Sequence, residues 1–190
     1  MQLVLGSQSP RRRELLRQLG LDFTVRAADL DESKYETDDP EQTVRATCAA
    51  KARAVAAVSE PGELILTSDT IVVLDGRIMG KPHSPAEAEA MLTALSGRTH
   101  RVYTAFTLLP VGGEAQTECA HTEVRFRPLS PAEIRAYVAS GEPMDKAGAY
   151  GAQGKGALFV RAIEGDFFNV MGLPVCRLGQ MLAKKGVPIL

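Results

Sequence analysis

No apolar run in this sequence approaches eighteen residues, so no segment reads as a membrane-spanning helix. Neither sign of charge is in excess, and acids and bases nearly balance at a formal net charge of −1. A chain so balanced lacks the overall basic field that nonspecific nucleic-acid binding requires, and it shows no aromatic–basic interleaving. Any phosphate it handles has to be gripped locally. Cysteine is scarce: Cys48, Cys119 and Cys176 are far apart in the chain. An odd, scattered set is neither a disulfide framework nor a zinc site, and it reads as small buried hydrophobes in a reducing compartment. His83, His100 and His121 lack metal-ligand spacing and read as structural. At the N-terminus Leu3-Val4-Leu5 precedes the arginines, the reverse of a secretory signal, so the expected location is cytoplasmic. Two nucleotide and hydrolase signatures are missing as well. Gly151-Ala152-Gln153-Gly154 has no following Lys-Ser/Thr and is no P-loop, and no Gly-x-Ser-x-Gly elbow occurs.

What is present is enough apolar residue for one domain of 190 residues with a substantial core. Gln2 to Gly6 reads as a buried strand. Ser9-Pro10 then opens a helix with a hydroxyl N-cap and proline at the first helical position, and Gly20 closes it. Phe23 to Val25 is a second strand. Past an acidic connector, Asp39-Pro40-Glu41-Gln42 starts a helix, with Gln42 placed for a capping box. Glu63 to Thr67 and Ile71 to Leu74 read as strands, and Asp75-Gly76 as a hairpin turn into Arg77-Ile78-Met79. Ser84-Pro85-Ala86-Glu87 and Ser130-Pro131-Ala132-Glu133 read as two capping boxes, convergent start signals and no duplication. Between them lie strand candidates Arg101 to Pro110 and Glu118 to Phe126. A glycine-rich stretch from Gly148 to Gly156, a strand Ala157 to Ile163 and a last helix Pro174 to Lys185 complete the chain. Interleaved strands and helices with hairpins predict an α/β fold with a mixed, twisted sheet flanked by helices.

Arg11, Arg12 and Arg13 occupy the opening turn of the first helix, where the macrodipole is positive. Each cation there costs about 0.3–1 kcal/mol and repels its neighbours. The conflict disappears where an anion binds, because free backbone N–H groups at a helix start already favour phosphate. Ser7 and Ser9 add hydroxyls to the same loop. Asp69, between Leu64-Ile65-Leu66 and Ile71-Val72-Val73, reads as a part-buried carboxylate at a strand end, suited to metal binding or general-base work. An Asx-type turn aspartate fits that position equally well. Glu32, in the acidic connector, is a candidate second carboxylate for magnesium, although such a connector also reads as a solvated loop. Lys51 and Lys81 are lone lysines, Lys81 being held in the tight connector Gly80-Lys81-Pro82.

These residues resemble the Maf (septum-formation-inhibitor-like) nucleotide pyrophosphatases. The matching blocks are Ser7-Gln8-Ser9-Pro10-Arg11-Arg12, Lys51-Ala52, Ser68-Asp69-Thr70, Asp75-Gly76 with Gly80-Lys81-Pro82, Leu95 to His100, Asp145 to Gly154, and Val170 to Pro174. Their joint order covers nearly the whole chain. The resemblance implies an elongated mixed sheet with two lobes and a cleft, often assembled as a homodimer. It implies hydrolysis between the α and β phosphates of a nucleoside triphosphate, assisted by magnesium or manganese. In this likeness Asp69 is the catalytic base and shares the metal with Glu32. Ser7, Ser9, Arg11, Arg12, Lys51 and Lys81 bind phosphate oxygens. Arg11, Thr70 and Gln153 are similar to the branch acting on dTTP and UTP, where the 7-methyl-GTP branch has Trp, Gln and Glu. Thr70 and Gln153 are then the readers of the pyrimidine edge. The sequence departs at Ala50, where a glutamate is common. Two rival readings are a purine-directed pyrophosphatase acting on ITP or XTP and a non-enzymatic, nucleotide-binding regulator of cell division.

Overall fold

Four helices begin where proline follows a serine or an aspartate: α1 (Pro10–Gln18), α2 (Pro40–Ala56), α3 (Pro85–Leu95) and α4 (Pro131–Ala139). Proline fixes the helical φ and forfeits only an N–H that the first turn cannot use. The caps are less uniform than the sequence predicts. Only Ser130 and Glu133 form the reciprocal capping box. Ser84 accepts from the Glu87 N–H, but the Glu87 carboxylate takes the backbone N–H of His83 instead. Asp39 accepts from the N–H groups of Glu41 and Gln42, but its own N–H donates to Thr37 Oγ1 and not to the Gln42 side chain, so the box stays half-formed. Ser9 makes no side-chain cap at all.

The computed structural model describes residues 1–187 and 189–190. Among them, strands β1 (Gln2–Leu5), β2 (Phe23–Val25), β3 (Glu63–Leu74), β4 (Arg77–Met79), β5 (Thr99–Pro110), β6 (Gln116–Phe126) and β7 (Val160–Glu164) form one sheet. Its order is β2-β1-β3-β5-β6-β7, with β4 also paired to β3. β1 runs parallel to β2 and β3, while β3–β4 and β6–β7 are antiparallel, which makes the sheet mixed. Helices α5 (Phe167–Met171) and α6 (Val175–Lys184) complete the α/β fold. Among the described residues no helix is long and apolar enough to cross a membrane.

Two expectations change here. The strands expected on either side of Ser68-Asp69-Thr70 are one continuous strand, so Asp69 is in mid-strand and not at a strand end. Pairing explains the continuity, because β1 registers with residues 63–66 and β4 with residues 72–74 of the same strand. The segment expected as a strand from Ala157 is a 3-10 turn (Gly154–Phe159) as far as Phe159, and β7 begins only at Val160. The Asp75-Gly76 hairpin is as expected, with positive φ at both residues (51° and 78°) as the tight turn demands.

The chain divides into two compact units, Met1–Asp69 with Thr104–Ala120 and Gly172–Leu190, and Thr70–Tyr103 with His121–Met171. In the first, Val4, Ala52, Val55, Ile65 and Leu109 pack the β1 and β3 surface against α2. In the second, Val72, Leu92, Leu95, Val102 and Val124 surround Phe126, Tyr137, Tyr150 and Phe159. Edge-to-face contacts link these rings, Phe126–Tyr150 at 4.7 Å and Tyr137–Phe159 at 4.8 Å between centroids. Each such pair adds about 0.5–1.5 kcal/mol beyond simple burial.

Gly148 is where the second unit requires glycine. Its φ is 66°, its N–H donates to the Gly80 carbonyl, and a Cβ there would lie 2.9 Å from the Val72 side chain. Gly148→Ala combines left-handed strain with overpacking and should cost about 2–4 kcal/mol. In a domain of this size that lowers the melting temperature by about 5–15 °C. A thermal melt within a degree of wild type would show that the loop relaxes around the added methyl.

Candidate active site

The opening of α1 is wired into the first unit by Arg12. Its Nε donates to the Gly172 carbonyl at 2.8 Å and its Nη1 to Ser7 Oγ at 3.1 Å. Ser7 Oγ also accepts the Ser9 N–H at 3.2 Å. Both lone pairs of that hydroxyl are thus used, which turns its own proton outward as a donor. Burial pulls the Arg12 pKa down, and Arg11 adds to this against the opposing pull of Asp69, Cys48 and Glu32. A guanidinium nevertheless keeps its charge in proteins. Ser9 makes no side-chain cap to the first turn of α1, whose N–H groups no intrahelical carbonyl reaches. Three of the four serine- or aspartate-proline starts have a side-chain cap, and the arginine-bearing one does not.

Lys51, on α2, gathers the acids. Its Nζ stands 2.7 Å from Asp69 Oδ1 and 2.8 Å from Glu32 Oε1. Glu32 comes from a 3-10 turn (Glu32–Tyr35) in the acidic connector, which is exposed along most of its length, as a solvated loop should be. Burial pulls the Lys51 ammonium down, yet Asp69 and Glu32 more than offset it and the pKa is raised. The ammonium therefore stays charged between two carboxylates. Asp69 is the more enclosed acid, its side chain 13% exposed against 53% for Glu32.

One carbonyl ties these two groups together. Ser68 Oγ lies 2.9 Å from the carbonyls of Gly172 and Ala105, and Gly172 O is also the acceptor for Arg12 Nε. The residue preceding Asp69 and the first turn of α1 thus share an anchor. Sequence reasoning assigned no role to Ser68 or Gly172. Both stood within recognisable blocks, but a link across 104 and 160 positions leaves no periodic trace.

Of the residues singled out by sequence, Ser7, Ser9, Arg11, Arg12, Glu32, Lys51 and Asp69 belong to the first unit. Thr70, Lys81 and Gln153 belong to the second. Lys81 is exposed beside Gly80, whose carbonyl receives the Gly148 N–H. Thr70 is half-buried directly after Asp69 in β3, and Gln153 is half-buried ahead of a 3-10 turn that its side chain does not cap. Buried His100 donates to or accepts from the Tyr150 hydroxyl at 2.7 Å, and burial lowers its pKa to about 4, a structural role as expected. Cys48 and Cys119 are buried as expected, but Cys176 is exposed, because it faces outward on α6. No group of three or more His, Cys, Asp or Glu that could hold a metal occurs among the described residues. A hard divalent cation in a phosphate site needs fewer protein ligands, commonly one or two carboxylates with the phosphates supplying the rest. Two carboxylates facing one cationic point suit such an ion.

The family model described as Maf-like protein matches residues 2–185. A dTTP/UTP pyrophosphatase of Moorella thermoacetica is 55% identical across 98% of this chain and 96% of its own. One from Symbiobacterium thermophilum is 50% identical across 99% and 96%. One from Syntrophomonas wolfei is 47% identical across 98% of each chain. Among solved structures, a HAM1 protein from Coxiella burnetii is more loosely similar, at 17% identity and a TM-score of 0.48 over 97% of this chain and 99% of that one.

Proposed function

Since this chain belongs to the Maf-like protein family, we propose that it is a nucleoside triphosphate pyrophosphatase that hydrolyses dTTP and UTP to the monophosphate and pyrophosphate. The observation that carries the reading is the Lys51 ammonium clamped between Glu32 and Asp69, with Ser68, the residue before Asp69 in β3, sharing the Gly172 carbonyl with Arg12. An acid pair, a fixed lysine and an uncapped, arginine-bearing helix start together match a polyphosphate being cleaved beside a base. The activity for which the relatives are named supports the same substrates.

Phosphoryl transfer asks for positioning and charge neutralisation more than for covalent help. Asp69 orients a water and takes its proton while the water oxygen bonds to the α-phosphorus. The bond from that phosphorus to the bridging oxygen breaks, and pyrophosphate leaves with the electron pair. Arg11, Arg12, Lys51 and Lys81 neutralise phosphate oxygens, and the Ser7 and Ser9 hydroxyls donate to them. Glu32 and Asp69 would hold magnesium or manganese, which when bound supplies further charge neutralisation on the phosphates. Thr70 and Gln153 read the base. A uracil or thymine edge offers an N–H donor flanked by carbonyl acceptors, and one carboxamide can accept from the first and donate to the second.

Pyrophosphate release measured across dTTP, UTP, CTP, ATP, GTP, ITP and XTP, with and without magnesium, tests the assignment. Magnesium-stimulated release confined mainly to dTTP and UTP is expected. Release led by ITP and XTP would mean a purine-directed enzyme, and nucleotide binding without any release would mean a regulator. Gln153→Glu removes the amide N–H and sets a negative charge against the base carbonyl. It should cut kcat/KM for dTTP and UTP at least about tenfold. Unchanged relative rates across the panel would take the reader role from Gln153.

A further inference from the structure

Glu142 lies ten residues or more from the turn it holds. Its Oε1 accepts the Gly156 N–H at 3.1 Å and the Tyr137 hydroxyl at 2.9 Å, while Oε2 accepts the Lys155 N–H at 3.1 Å. The Tyr137 hydroxyl in turn accepts the Gly151 N–H at 3.2 Å. Two residues of α4 and the turn after it therefore clamp both stems of the segment 151–156. The stems touch: a Cβ on Gly156 would lie 2.3 Å from the Gly151 carbonyl and 2.7 Å from the Tyr137 hydroxyl. Gln153 stands at the tip of the loop so pinched.

We propose that Glu142, working through the Tyr137 hydroxyl and the amides of Lys155 and Gly156, is the positioning residue that fixes Gln153 and so sets nucleobase preference. The inference rests on the reading of Gln153 as the base reader. A carboxamide discriminates among bases only where its donor and acceptor ends are held in place, since a rotated or displaced amide pairs with the wrong edge as readily as with the right one. The loop is also tied at its far end, where Arg127 donates from its N–H and Nε to the carbonyls of Phe159 and Leu158. It is a glycine-rich 3-10 segment with no side-chain cap, and Gly154 inside it adopts a positive φ. Lys146 reinforces the brace from behind, its Nζ donating to the Glu142 carbonyl at 2.6 Å. Tyr137 is itself anchored by its ring, which packs edge-on against Phe159, so its hydroxyl is a fixed point.

The chemistry of the brace is that of a carboxylate. Burial pulls the Glu142 carboxyl up, but the Gly156 and Lys155 amides, the Tyr137 hydroxyl and Lys146 more than offset it, leaving it lowered. Three donors converge on two acceptor oxygens. A carboxamide at this position offers one acceptor oxygen and turns an N–H₂ toward an N–H, so Glu142→Gln loses one bond and gains a repulsive contact.

The test uses Glu142→Gln, Tyr137→Phe and Gln153→Ala in the full chain, with steady-state kinetics on dTTP, UTP, CTP and GTP and amide hydrogen exchange at Gly151, Lys155 and Gly156. Glu142→Gln should narrow the preference for dTTP over CTP, as a ratio of kcat/KM, by about tenfold. That narrowing should come mainly through KM for dTTP and UTP, with faster exchange at Lys155 and Gly156. Tyr137→Phe keeps the ring packing and should give a smaller change of the same sign, with faster exchange at Gly151; it serves alone if Glu142→Gln does not fold. Should kcat fall equally for every nucleotide with the preference intact, Glu142 is only a structural support and the proposal is overturned. Should Gln153→Ala narrow the preference while both brace variants leave it alone, the reader stands and the brace fails. If Gln153→Ala itself leaves the preference untouched, the reader reading fails and the proposal falls with it.

Discussion

Asp69→Asn should leave a folded protein that binds dTTP but turns it over about 10³-fold more slowly, the loss expected for deleting a positioned general base. The asparagine keeps the size of the side chain, and its oxygen can still accept from Lys51 Nζ, which stands 2.7 Å from Asp69 Oδ1. Lys51 also keeps Glu32, 2.8 Å away, so no buried ammonium is left without a partner. What disappears is the negative charge and the capacity to take a proton. The variant therefore separates chemistry from architecture. Near-normal melting temperature and dTTP affinity by calorimetry, together with kcat at the floor, assign the base to Asp69. Turnover close to wild type would place the base elsewhere. Affinity lost along with turnover would make holding the cation, and not taking the proton, the main contribution of Asp69.

Why Asp69 was easy to notice and hard to place follows from the same physics. A charged residue between two apolar runs is conspicuous, but the pattern of β3 cannot say whether the chain breaks there. The break is absent because β3 is paired on each side of Asp69, to β1 at residues 63–66 and to β4 at residues 72–74. Helix starts were legible for the opposite reason. A proline preceded by Ser or Asp is a local device, and all four such sites begin a helix at that proline. Partner choice in the caps was less legible, as Glu87 shows by bonding to His83 instead of to Ser84, since it depends on where the incoming chain lies. The Gly148–Phe159 stretch was the least readable. Glycines carry no side chain to set a period, and the segment is ordered by distant groups, among them the Glu142 carboxylate and Arg127. Arg12 was singled out for charge conflict at a helix start. Its bonds to Gly172 and Ser7 show that the conflict is met partly by the protein's own acceptors.

Arg12→Lys should therefore cost both stability and activity, about 2–4 kcal/mol and about 100-fold in kcat/KM. The guanidinium reaches two acceptors from a planar fork, Gly172 O at 2.8 Å and Ser7 Oγ at 3.1 Å. An ammonium on a flexible stem is a single point charge, and it cannot meet both in that geometry. It is also the more strongly hydrated ion, so the burial that already pulls Arg12 down penalises lysine further. Gly172 O keeps the Ser68 hydroxyl and is not stranded, whereas Ser7 loses the bond that orients its proton. The α1 opening then loosens where a triphosphate is proposed to bind. Ligand-induced stabilisation separates the two roles, because a ligand raises the melting temperature according to its affinity for the native state. If Arg12 grips phosphate, the shift produced by saturating dTTP shrinks in the variant beyond what its lower baseline explains. A variant that melts lower but gains the full wild-type shift would confine Arg12 to tying Ser7 and Gly172 together, and the phosphate would then be held by Arg11 and Lys51.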